Sequence, residues 1–494
     1  MKRAIGLGAV MSSLAAGADA AVTLPAVLGE HMVVQRDLPF HLWGTAAPGE
    51  TVTASFRGES RSTAADELGR WSLHLRPQPP GGPFSLTVSA SNTIRLEDVW
   101  IGDVWMASGQ SNMEWTLDAA EGGAAEVAKA NHPEIRFLRT TRVTSRYPLD
   151  DVATDGGWKV CAPENAAKFS AVAYFFVSRI RERDPVPVGV IDTSWGGAPL
   201  AAFTPLTTLA SDPALQPAIL HWSRMADRHT TTELQIAKEK RDAEAAKAKG
   251  QEPPPAIWRP GLEAWSPAGI YDAMIAPVTP HAIRGVIWYQ GESDASPERS
   301  PVYARLFEET IRSWRRAWGA GDFPFLYVQL ANYTAGDGNA WPELREAQRR
   351  TLSVANTGMA VTIDVGNPKD IHPRDKKTVG TRLALAARAL AYGESLPHSG
   401  PLFRQATPEG SSLRVHFDHA GGLATKGGPV TGFEVAGADG KYVAADARIE
   451  GTTVVVSSPA VAAPRLVRYG WADNPVVSLY NGAGLPASPF RSAE

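Results

Sequence analysis

Three regimes of apolar patterning succeed one another along the chain. Between residues 22 and 98, short runs at 32–35, 51–56, 71–75 and 84–88 alternate apolar with polar residues or are β-branched, and Pro48-Gly49 and Pro80-Gly81-Gly82 punctuate them. Period-two alternation between turn residues predicts strands with one buried face, so residues 21–98 are expected to form a small β-sandwich. A second regime follows. Near-continuous apolar runs at 103–107, 186–192, 285–289, 325–330 and 359–363 are separated by helical patterns at 167–183, 303–318 and 343–354. Strands apolar throughout, alternating with helices, predict a parallel sheet covered on both faces, an α/β fold over 99–395. Past about residue 393 the helical period stops, and runs such as 412–417 and 453–456 between Gly-rich turns predict a second β module over 396–494. The alternation is interrupted near 200–270. There 233–249 is charged and Ala-rich without a wide apolar stripe, and Pro253-Pro254-Pro255 follow it, which predicts a solvated helix ending at Gly250 and a possible cleft wall with no catalytic role.

Open parallel sheets bind ligands beyond the carboxyl ends of their strands, so the polar residues just after each predicted strand carry the functional information. After 103–107 comes Ser108-Gly109-Gln110-Ser111-Asn112-Met113-Glu114, in which a tight turn hands the chain to a helix. A serine at that junction exposes its hydroxyl at the sheet edge, and its own N–H lies at a helix N-terminus, where a developing oxyanion is favoured. The spacing is not the G-x-S-x-G elbow of the α/β-hydrolases. After 186–192 comes Thr193-Ser194-Trp195-Gly196-Gly197; after 285–289 comes Gln290-Gly291-Glu292-Ser293; after 359–363 comes Asp370-Ile371-His372-Pro373. Of eleven histidines, His372 stands out by place, because Pro373 suits the first turn of a helix running through Val379 to Ala391 and puts His372 at its entrance, facing the serine. Asp370 lies two residues before it, on the same side of an extended segment, and is either the group that orients the imidazole or a turn cap beside a Ser-His dyad.

Gly109-Gln110-Ser111-Asn112-Met113 resembles the nucleophile block of SGNH-type hydrolases, specifically the sialate O-acetylesterase-like carbohydrate esterases. The runs 28–36, 271–277, 469–472 and 484–490 look like the same esterases, so the likeness covers nearly the whole chain after residue 20. The resemblance implies a flavodoxin-like catalytic domain in which Ser111 is the nucleophile and His372, with Asp370, the base. It further implies an oxyanion hole from the Ser111 N–H, the Gly197 N–H and the amide of Gln290, where the family's usual asparagine is replaced. Gln110, Asn112, Trp195, Gly196 and Glu292 are the candidate substrate contacts. One departure stands out: in the family's Asp-x-x-His block the acid is three residues back, and here that position is Lys369. The implied activity is removal of O-acetyl groups from a carbohydrate, sialate first, with acetylated xylan or xyloglucan as the alternative. A glycan-binding protein that has lost turnover and an acetyltransferase on the same scaffold are the readings from other classes.

Composition narrows this picture at a few points. A net charge of -3 with both signs mixed gives no basic surface for nucleic acid, and no run after the N-terminus is long and apolar enough to span a bilayer. Fifteen tryptophans suit a protein that stacks on sugar faces, though a core uses them equally. No His, Cys or Asp cluster has metal-ligand spacing, and no cofactor is expected. The single cysteine, Cys161, excludes an internal disulfide and reads as a packed thiol. Met1-Lys2-Arg3, a run of small residues and Ala18-Asp19-Ala20 make residues 1–20 an expected secretory signal, hence a secreted or periplasmic protein.

Overall fold

The structure, a computed structural model, describes residues 21–255 and 257–492, so the expected signal segment lies outside the described residues. The first strands are β1 (Val33–Gln35), β2 (Phe40–Thr45), β3 (Thr51–Phe56), β4 (Glu59–Ala64), β5 (Arg70–Leu75), β6 (Gly81–Ser89) and β7 (Thr93–Gly109). β2 and β5 form one antiparallel ribbon; β4, β3, β6 and the first half of β7 form another sheet. Phe40 of one meets Phe56 of the other edge-on, ring centres 5.6 Å apart, which closes the small sandwich. β7 is 17 residues long, and its second half leaves this module and becomes the central strand of the next. The boundary expected at 98/99 therefore falls inside one continuous strand, and a single apolar core extends from the N-terminal module into the α/β region.

The remaining strands of that region are β8 (His132–Thr140), β9 (Thr154–Cys161), β10 (Val188–Asp192), β11 (Gly285–Tyr289), β12 (Phe325–Val328) and β13 (Thr357–Ala360). They run in the order β13-β12-β11-β7-β10-β8-β9, all parallel except β9. The chain leaves β7 toward β8 and β10, then returns to its other side for β11, so the order reverses at the carboxyl end of β7, where such sheets bind ligands. β10 begins at Val188, two residues later than its apolar run, because Pro187 has no N–H for the ladder.

Both faces are covered, as the unbroken apolar strands require. Trp288 of β11 stands opposite Ser108 in register, three residues beyond Trp105, so the two indoles point to opposite faces. Trp105 packs on Phe176 of the helix α2 (Ala171–Arg181), whereas Trp288 packs on Phe307 and Trp314 of α5 (Ser300–Trp318). The other elements used below are α1 (Ser111–Glu114), α3 (Gln216–Asp227), α4 (His229–Ala248), α6 (Trp341–Arg350) and α7 (Lys376–Leu390). Gly380 of α7 has no room for a side chain, since a methyl group there would lie 2.7 Å from the Val172 carbonyl of α2. α4, the expected solvated helix, has no buried residue.

The C-terminal part has its own apolar cluster, built on two four-stranded sheets of mainly antiparallel short strands. It is bolted to the α/β region by Arg345 of α6, fully buried, whose guanidinium donates to the carbonyls of Leu330, Ala331, Ala472 and Asp473. Cys161 is buried, and burial pushes its thiol up to about 12, as fits an inert packed side chain.

Candidate active site

β7 ends at Gly109, whose φ is +129° and where a methyl group would meet the Tyr289 carbonyl at 2.1 Å; only glycine fits. The chain then turns at Gln110 into α1, and Ser111 is the first helical residue, half-buried. Across the sheet edge, His372 Nε2 lies 2.8 Å from Ser111 Oγ, two residues 261 apart along the chain. Trp115 stacks on the imidazole, ring centres 5.1 Å apart, and limits its rotation. Burial, and secondarily the Lys376 ammonium, hold the His372 pKa below its ordinary value, so the ring is neutral and able to take a proton near pH 7.

The helix after His372 starts at Lys376, later than expected, because Asp375 rather than Pro373 defines its entrance: the Asp375 carboxylate accepts the Thr378 N–H. Pro373 and His372 are therefore in the loop. Asp370 shapes that loop, its Oδ1 accepting the His372 backbone N–H at 2.9 Å. The same oxygen is 3.6 Å from His372 Nδ1, and the carboxylate is 43% exposed, so it acts on the ring by charge more than by a formed hydrogen bond.

Gly196 sits against the serine: a methyl group on it would lie 3.4 Å from Ser111 Cβ. The Gly196 N–H donates to Glu114 Oε2 at 2.7 Å, while Glu114 Oε1 accepts Arg139 at 3.0 Å and contacts Arg142. Gly197, in the left-handed region at φ +76°, keeps its N–H without an acceptor among the described residues, and its carbonyl is fixed by Trp265 Nε1 at 2.7 Å and Ser293 Oγ at 2.9 Å. The Ser111 and Gly197 amides are thus available to an oxyanion. Gln290 is a correction to the sequence reading. It is fully buried; its Nε2 donates to Asp294 at 2.6 Å and to the Ala198 carbonyl, and its Oε1 accepts Tyr303 at 2.8 Å, so its amide is committed to the core.

Of the candidate substrate contacts, Gln110 and Asn112 are buried and Glu292 is half-buried, all three bonded to one another's segments. Gln110 Oε1 accepts the N–H groups of Gly291 and Ser293, at 3.4 and 3.2 Å. Asn112, buried, donates to Glu292 Oε1 at 2.5 Å and to the Ile371 carbonyl at 3.1 Å, and accepts from Lys376 Nζ. Trp195 is half-buried, its N–H on the Gly109 carbonyl at 2.9 Å. Trp258, 68% exposed, stands instead over Gly197, its ring 3.2 Å from where a Gly197 methyl would be. Beyond it, α3, α4 and the segments 259–262 and 296–299 line a cleft of about 980 Å³. Sequence reasoning gave Arg139 no role and missed Glu114, Arg142, Lys376 and Trp258; only the position of Glu114 in the first helical turn after the serine was available as a signal. Arg136 and Arg284 are engaged away from the site, with Asp98 and the Ala391 carbonyl. Among the described residues no group of three His, Cys, Asp or Glu side chains is placed to hold a metal ion, and no helix is long and apolar enough to cross a membrane.

A parallel sheet covered on both faces, with blocks meeting at the carboxyl end of its reversal strand, defines a hydrolase scaffold of the SGNH type. The family model described as carbohydrate esterase, sialic acid-specific acetylesterase, matches residues 256–389. Mouse sialate O-acetylesterase is 30% identical over 417 residues, spanning 76% of this chain and 74% of the relative; the human protein is 30% identical over 429 residues, spanning 79% and 74%. The crystal structure of a carbohydrate acetylesterase from Xanthomonas citri superposes with a TM-score of 0.82 at 38% identity, covering 96% of this chain and 99% of that one. The chain belongs to the sialate O-acetylesterase family of carbohydrate esterases.

Proposed function

We propose that this chain is a serine esterase that removes O-acetyl groups from a carbohydrate, with Ser111 as nucleophile and His372 as general base. The observation that carries the reading is the 2.8 Å contact between Ser111 Oγ and the neutral His372 imidazole. His372 Nε2 takes the hydroxyl proton as Oγ attacks the acetyl carbonyl, and the negative oxygen of the tetrahedral intermediate is held by the Ser111 and Gly197 amides. Collapse breaks the bond to the sugar oxygen, which receives the proton from His372 and leaves. Water, giving its proton to the same imidazole, then attacks the acetyl-serine, and acetate departs as Ser111 is reprotonated. Asp370 helps by favouring the imidazolium that forms in each half-reaction.

The mammalian relatives, both sialate O-acetylesterases, support an O-acetylated sialic acid as the sugar, and the Xanthomonas citri carbohydrate acetylesterase supports an acetylated carbohydrate more broadly. The pattern of residues 1–20 supports export, secreted or periplasmic, and the change of apolar pattern along the chain supports an N-terminal module joined through β7 to a catalytic domain to 395, then a C-terminal module. Acetate release from 4-nitrophenyl acetate, from O-acetylated sialic acid and from acetylated xylo-oligosaccharide tests both levels. Ser111→Ala is expected to lower kcat by about 10⁴-fold or more on every substrate that is turned over. Activity retained in that variant removes Ser111 from the mechanism.

A further inference from the structure

A set of largely buried polar groups behind Ser111 has no part in the reaction as written. Lys376, in the first turn of α7, is fully buried, and its ammonium donates to Asn112 Oδ1. The other end of the Asn112 amide divides between Glu292 Oε1 at 2.5 Å and the Ile371 carbonyl at 3.1 Å. Asn112 follows the nucleophile directly, and Ile371 directly precedes the histidine. One amide side chain therefore joins the residues next to Ser111 and next to His372, and the lysine holds that amide from behind. The ammonium also lies 5.5 Å from the ring centres of both Trp115 and Tyr289, and Trp115 is the ring stacked on His372. The second oxygen of Glu292 is buried with no partner.

Resting on the Ser111–His372 reading above, we infer that Lys376 is a positioning residue: through Asn112 it fixes the distance between nucleophile and base, and its charge disfavours protonation of the imidazole. The groups facing the lysine are the Tyr289 ring at the end of β11 and Glu292 just beyond it, Asn112 and Trp115 from α1 and the segment after it, Asp370 and His372 from the preceding loop, and Asp375 at the cap of its own helix. The sign of the charge effect follows from these neighbours. Glu292 favours a carboxyl with its pKa raised by burial, so it offsets the ammonium only in part. Burial brings Lys376 down to about 7, against the opposing pull of Glu292, Asp370 and Asp375. The cation is thus present on the acid side of neutrality, where the imidazole titrates. A cation there makes the imidazolium costlier, which keeps the general base free of its proton to lower pH.

The test is Lys376→Met, which keeps the length of the side chain and removes the donor and the charge, measured with 4-nitrophenyl acetate across pH 4.5–8.5 beside wild type, Asn112→Ala and Ser111→Ala. For Lys376→Met the expected result is a fall in kcat of about tenfold or more with KM within threefold, and an acid limb of kcat/KM displaced to higher pH. Asn112→Ala, which leaves the ammonium in place, is expected to lose kcat similarly with the acid limb at its wild-type position. Wild-type kcat in Lys376→Met, or lost kcat with an unmoved acid limb, overturns the inference. If Lys376→Met does not fold, Asn112→Ala with an unchanged melting temperature decides: reduced kcat supports the bridge and wild-type kcat overturns it. Turnover by Ser111→Ala would instead refute the esterase mechanism itself, a separate outcome.

Discussion

The two sides of Ser111 are built on opposite principles. Behind it, α1 and the segments 290–294 and 370–376 interlock through buried polar side chains whose partners come from one another: Gln110 to 291 and 293, Asn112 to 292 and 371, Gln290 to 294, Lys376 back to Asn112. In front of it lies the insertion, in which α4 buries no side chain and Trp258 stands 68% exposed. A buried polar network is rigid only when satisfied, and each member lost leaves others unpaired. An exposed wall has no such constraint and is free to vary with the substrate. On this division the rear wall sets geometry, and the front wall is the proposed place of sugar contact.

The strongest test of this division strikes the rear wall at a residue that touches neither substrate nor proton. Glu114 holds the Gly196 N–H and takes charge from Arg139 and Arg142, so it sets the peptide that leads to the Gly197 amide. Removing one oxyanion donor typically costs 10²–10³ in rate. Glu114→Ala is accordingly expected to lower kcat for 4-nitrophenyl acetate by about 10²-fold with a modest change in KM. A kcat within threefold of wild type would mean that the Gly197 peptide is held without it. Asp370→Asn should have a smaller effect. A fully engaged triad acid costs about 10⁴ when replaced by its amide, but Asp370 is 3.6 Å from Nδ1 and 43% exposed. A fall of about tenfold in kcat is expected; a loss near 10⁴ would show that the carboxylate closes onto the imidazole during turnover.

How much of this was readable in advance follows the same division between local and long-range order. Ser111 was legible because it closely follows the strand pattern of 103–107, and His372 because it lies in the loop after 359–363, both patterns being local properties of the sequence. The parallel sheet was legible because its strands are apolar throughout, at Val188–Asp192 and Gly285–Tyr289 above all. Gln290 was misread because sequence order places it beside the site without saying which way its amide points, and Asp294 and Tyr303 claim it. Lys376 was invisible for a related reason: a lysine in the polar first turn of a helix usually faces water, and only the packing of α7 against the nucleophile block buries it. The start of that helix was misplaced because Asp375 outcompetes Pro373 for the entrance. The continuity of β7 through the expected module boundary was missed because the change in pattern at 98 marks a change of partners, not a break in the strand.

The front wall offers the smallest expected effect and the sharpest contrast. Trp258 contributes little to the fold, being 68% exposed, yet its ring lies against Gly197, one residue before Arg259 of the cleft lining. An aromatic face at that place offers the apolar side of a pyranose about 1 kcal/mol of contact, which corresponds to a change in affinity of about fivefold. Trp258→Ala is expected to raise KM for an acetylated oligosaccharide by about threefold to tenfold, with kcat within twofold and the melting temperature within about 2 °C of wild type. The aryl ester, too small to reach past the rim, should show a lesser rise in KM. A drop in melting temperature of several degrees would make the indole part of the fold, and an equal rise in KM for both substrates would mean that it orders the Gly197 turn rather than the sugar. Either result would move Trp258 to the rear wall's side of the comparison, because a residue that sets geometry affects every substrate alike whereas one that binds sugar affects only those long enough to touch it.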